Sequence, residues 1–155
     1  MSLATVRPDS WNFPLFLHVA GAMVLVGALV VVAWALVKAW RGDSAGFTNV
    51  AFRTLLYAAI PSFIVMRVGA QWIADKEGIL DSKSDPSWIG IGFSTSDSGG
   101  LFVIIATVLA GLAARRLRRE GSAGPITLGR VAAVLTLIPL IAFLVTVWAM
   151  TAKPT

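Results

Sequence analysis

Apolar residues in this chain come in long blocks, with little alternation or single-face patterning. No charged side chain occurs between Phe13 and Val37, and three further apolar blocks follow. A helix crossing a bilayer needs about 20 mostly apolar residues. The pattern therefore predicts four transmembrane helices at about 11–40, 52–73, 99–117 and 131–150, the third of them short. The expected fold class is all-α: a polytopic membrane protein, a four-transmembrane-helix bundle forming one domain over 1–155. The first block contains AWA at 33–35, which resembles a signal-peptide cleavage site. A signal h-region spans only about 7–15 residues, so the block reads as a retained helix.

Within the blocks, prolines and small residues add detail. Pro61 and Pro139 each remove a backbone donor and can kink their helices. Gly21, Ala28 and Ala35, and again Ala106, Ala110 and Ala114, form rows that allow close helix approach. A packing role is expected for both rows.

Composition agrees with the blocks. Mean hydropathy is +0.80, and 14% of residues are charged, against roughly 25% in soluble domains. Cysteine is absent, which excludes disulfides, thiolate ligands and cysteine nucleophiles. The net charge is +5, but its distribution points to topology and argues against nucleic acid. Lys38, Arg41 and Arg53 flank the first connection, and Arg115, Arg116, Arg118, Arg119 and Arg130 the third. The middle connection holds Asp75, Lys76, Glu77, Asp81, Lys83, Asp85 and Asp97. The positive-inside rule places the basic connections, 41–51 and 118–130, in the cytoplasm. The loop 74–98 and both termini then lie outside, in a bacterial cytoplasmic membrane. Trp11, Trp72 and Trp148 fall near outer helix ends, and Trp40 and Tyr57 near inner ones, as interfacial belts do. The run ARRLRRE suits contact with anionic lipid through Arg115, Arg116, Arg118 and Arg119.

Candidate chemistry is confined to a few polar groups. Arg67 is the costly residue of the second block, since arginine at a helix centre costs about 2.5–3.5 kcal/mol on insertion scales. His18, the single histidine, falls at a similar depth. Gln71 and Asp75 follow Arg67 at intervals of four and share its face. STSDSGG, 94–100, reads as a helix start with Asp97 or Ser98 as its cap. A polar cluster of His18, Arg67, Gln71, Asp75 and Asp97 is thus expected in the outer half. Three uses stay open: a snorkelling arginine beside a carbonyl-bonded histidine, an Arg67–Asp75 or Arg67–Gln71 pair, and a ligand or cofactor site. One histidine without cysteine cannot build a histidine-rich zinc site. No phosphate-binding glycine loop or nucleophile elbow is present.

Residues 17–30, LHVAGAMVLVGALV, resemble the first helix of a broad group of small four-helix bacterial integral membrane proteins. The group includes copper-resistance-D-like proteins, protoporphyrinogen oxidases that carry haem b, and relatives of unknown function. Leu17, His18, Gly21, Val26 and Gly27 match a pattern of Leu-His, a glycine three residues on, then Trp-Val-Gly-Gly. Leu25 and Ala28 stand at the tryptophan and second glycine. The resemblance implies haem b as cofactor and His18 as its ligand. Those oxidases also use a lysine in a later helix, and 99–114 contains none. With one histidine, haem would need a second copy of the chain, Met66 or Met150 as second ligand, or an open axial position.

The functional expectation is a non-enzymatic scaffold, accessory or ligand-sensing bundle. Its partners are the bilayer and either a second copy or another membrane protein. A redox protein using His18 and a small anion or solute transporter using Arg67 are the alternatives.

Overall fold

The computed structural model describes residues 9–40, 44–76, 78, 87–120 and 126–152. All regular structure among them is helical. After a 3₁₀ turn, Asp9–Trp11, helix α1 runs over Asn12–Trp40. Pro14 sits in its first turn, where a missing N–H leaves no helical bond unmade. Helix α2, Ser44–Thr54, passes through a π-helical segment, Leu55–Ala59, into α3, Ile60–Lys76. Helices α4, Ser87–Glu120, and α5, Ile126–Ala152, complete the bundle. Four helices are long and apolar enough to cross a membrane: α1, the α2–α3 rod, α4 and α5.

Two spans run further than their apolar blocks. Residues 44–51 are helical because α2 is two-faced: Thr48, Ala51 and Leu55 are buried, while Val50 and Arg53 are exposed. The polar stretch 87–98 is helical too, so α4 has 34 residues and the third span is not short. Asp97 and Ser98 are therefore not a helix cap. Ser98 instead donates back to the Ser94 carbonyl at 2.7 Å, an interior-helix bond. The expected loops 41–51, 74–98 and 118–130 shrink accordingly, and 41–43, 79–86 and 121–125 lie outside the described residues.

The π segment has a local cause. Pro61 offers no N–H, and its ring crowds the carbonyl four residues earlier. The preceding turn widens, so that the Ile60 N–H reaches the Leu55 carbonyl. The Ser62 hydroxyl then donates to the Ala58 carbonyl at 2.6 Å and lies 3.1 Å from that of Ala59. Pro139 is accommodated inside α5 with its ring fully buried.

α1 packs most extensively on α3 and also on α2 and α5; α4 packs most on α5 and also on α2. The core combines Leu25, Leu29, Val32, Leu36, Leu55 and Val103 with alanines at 28, 35, 106, 110, 132 and 133. Both rows of small residues are buried within this one chain, so packing is their role here. Glycines of α4 form sockets for aromatic rings: Gly99 faces Phe143, Gly100 faces Phe63 and Gly111 faces Phe52. Outward positions are apolar as well, with Phe16, Met23, Trp34, Ile104, Val108 and Trp148 all exposed. One seam is different: the backbones of α3 and α4 approach at few points, and the Phe63 ring fills the space at Gly100.

Candidate functional site

The polar groups of interest lie on either side of α3, towards the end of the bundle opposite the arginine-rich one. On one side α3 meets α1 with almost nothing between the backbones. A Cβ at Gly21 would lie 2.6 Å from the Met66 nitrogen, and one at Gly69 would lie 2.6 Å from the His18 nitrogen. The contact is reciprocal: three residues after His18 comes the glycine that seats Met66, and three after Met66 comes the glycine that seats His18. This approach brings the His18 imidazole onto α3, where Nδ1 lies 3.1 Å from the Met66 carbonyl oxygen. A carbonyl only accepts, so Nδ1 carries the proton and donates. The carbonyl bond expected of His18 is present, made through Nδ1.

Arg67 is the next residue along and faces the other way. Its Nη2 lies 2.7 Å from Asp97 Oδ1 on α4, with side-chain exposures of 29% and 66%. Its guanidinium carbon also sits 5.1 Å from the centroid of the Phe93 ring. Phe93 and Asp97 are four apart on α4 and so share a face; together they hold the guanidinium from two directions. The ion pair and the Phe93 contact bridge the outer part of the α3–α4 seam, one turn beyond the Phe63 ring seated at Gly100.

The expected partners of Arg67 on its own helix are displaced by Asp97. Asp75 is eight residues on, about 12 Å along the axis, and exposed. Gln71 is exposed too. Both line a shallow surface groove of about 460 Å³ with Val68 and Trp72. The expected common level of His18 and Arg67 is seen, since His18 bonds to the residue before Arg67, but the two side chains leave α3 on different sides. Phe93 was missed because 87–98 reads as a loop once its polar residues end the apolar block. The spacing of Phe93 and Asp97 is the signal that a helical reading would have exposed.

The residues around His18 do not fit a haem held between α1 and α3. The two backbones are in contact at that level, which leaves no slot for a porphyrin. Met66, one proposed second ligand, is buried in the α1–α3 contact and offers its carbonyl to His18. Met150 falls outside the described side chains.

At the arginine-rich end, Arg118 Nη2 donates to Asn49 Oδ1 at 2.8 Å. This ties the end of α4 to α2. Arg115, Arg116 and Arg119 are exposed around it, as is Arg53 on α2.

Compared with protein-family models, with curated proteins and with solved structures, the chain has no match.

Proposed function

We propose that this is a multi-pass protein of the bacterial cytoplasmic membrane with a non-enzymatic role. It serves as an accessory or ligand-sensing bundle whose responsive part is the α3–α4 seam. The observation that carries the reading is the Arg67–Asp97 pair, which bridges two helices whose backbones approach each other at few points. Beyond the Phe63 ring seated at Gly100, the outer part of the seam is closed by a half-exposed ion pair and the Phe93 contact, and that part can open at modest cost, whereas the α1–α3 contact cannot.

Depth supports a membrane setting. Arg67 lies fourteen residues from Arg53, and Asp97 eighteen from Arg115, or about 21 and 27 Å along their helices. Against a hydrocarbon core about 30 Å thick, the pair falls in the outer third when the basic end is cytoplasmic. A charge there is tolerated far better than at the midplane.

Orientation is tested with single cysteines in this cysteine-free chain. Cysteine at Ser82 should label with an impermeant reagent in intact cells, and cysteine at Ser122 should not; the reverse pattern inverts the orientation. The functional reading is tested by native electrophoresis of gently solubilised membranes and by flux assays on proteoliposomes. An accessory role predicts a complex larger than the chain that Asp97→Asn weakens and Asp75→Asn leaves intact, with no chloride or phosphate flux. Flux abolished by Arg67→Leu would replace it with the transporter reading.

A further inference from the structure

The surface where α2 packs on the end of α4 has features that the proposed orientation leaves unused. Asn49 and Arg53 are four apart on α2, and Arg115 and Arg118 three apart on α4, so each pair shares a face. The Arg118–Asn49 hydrogen bond brings those two faces together. It occupies one nitrogen of Arg118 and holds its guanidinium towards α2. Arg53 and Arg115, one turn deeper on each helix, are exposed beside it. The α2 segment, SAGFTNVAFRT, carries no acidic residue to neutralise them.

From this we infer that the α2–α4 junction binds the phosphate of an anionic lipid headgroup, with Arg53 and Arg115 as its direct ligands and Arg118 held in place by Asn49. Arginine suits this because its planar fork matches two phosphate oxygens. The surface leading from this junction towards the middle of the bundle argues for a lipid over a soluble phosphate. Tyr57, four residues beyond Arg53, is 74% exposed, and Val108 and Ile104, seven and eleven before Arg115, are 57% and 53% exposed. These apolar positions lie where the acyl chains of a lipid held by its headgroup would run. Arg53, absent from the ARRLRRE run, is the member only the fold brings in.

The inference rests on the membrane reading, and its test separates the two. The full chain is reconstituted in nanodiscs of phosphatidylcholine with graded phosphatidylglycerol, and bound lipid is counted by native mass spectrometry. Failure to reconstitute at all would overturn the membrane reading itself. With reconstituted protein, the wild type should retain phosphatidylglycerol over phosphatidylcholine. Arg53→Gln and Arg115→Gln should each weaken that retention about five-fold. Arg116→Gln, on another face of α4, should change it far less. Asn49→Ala should give a partial loss by releasing Arg118. Equal retention in Arg53→Gln/Arg115→Gln and wild type would overturn the site. So would displacement of the lipid by millimolar inorganic phosphate, which would show that the acyl chains contribute nothing.

Discussion

Helix α3 makes two contacts of opposite kinds from neighbouring residues. Towards α1, Met66 and Gly69 press backbone against backbone, with His18 bonded across. Towards α4, Arg67 reaches over a seam to Asp97 and Phe93. The first contact depends on the absence of side chains and has no slack. The second depends on long side chains and can be broken without moving a backbone. Stability therefore concentrates at the glycine contact, and adaptability at the ion pair.

The sharpest way to break the comparison is to add one carbon to the tight side. Gly21→Ala or Gly69→Ala places a methyl about 2.6 Å from a backbone nitrogen of the facing helix, and backbone cannot swing aside as a ring can. Each should destabilise the bundle by about 2–3 kcal/mol, read as a lowered unfolding midpoint in detergent. Gly100→Ala meets the Phe63 ring, and Gly111→Ala the Phe52 ring at 2.9 Å. Both should cost less than Gly69→Ala, because those neighbours are side chains. Equal costs at all four glycines would erase the distinction.

The loose side is probed by a double-mutant cycle. Arg67→Leu and Asp97→Asn should show a coupling of about 0.5–1 kcal/mol, the scale of a partly exposed pair. Arg67→Leu with Asp75→Asn should be additive within about 0.3–0.5 kcal/mol. A coupling to Asp75 as large as that to Asp97 would contradict the observed pairing. The same cycle at raised salt should show the Asp97 coupling shrink, since half-exposed charges are screened.

Between these lies His18→Ala, which removes one hydrogen bond to a carbonyl and should cost about 1 kcal/mol. Its colour is the further readout: protein from haem-supplemented cells should be colourless in wild type and variant alike. A Soret band lost in His18→Ala would show that His18 meets a haem outside the α1–α3 contact. The smallest effect is expected from Asn49→Ala, an exposed change worth about 0.5 kcal/mol or less in detergent.

Much of the architecture was legible along the chain. The number of span-length helices follows from block length, because a helix long enough for a bilayer needs a mostly apolar run and four such runs are present among the described residues. The level of His18 with Arg67 was legible as well, since helical rise converts residue counts into depth. The bounds of the second and third spans were not. Polarity ends an apolar block, but it does not end a helix whose backbone bonds continue and whose other face is packed, as Thr48 and Ser96 show by being buried.

The chain by itself thus determined which residues are apolar enough to form spans, where the cations gather and which few polar groups lie inside a span. Those are local properties of composition and spacing. Only the tertiary structure decided the partners. Arg67 has one carboxylate, Asp75, on its own helix, yet its rotation about α3 aims it at α4 and Asp97. The sequence does not name the partner of His18, and the closeness of α1 and α3 at Gly21 and Gly69 brings the Met66 carbonyl within reach of its Nδ1. Helix rotation and interaxial distance arise from all the packed faces together, so no single stretch of sequence contains them.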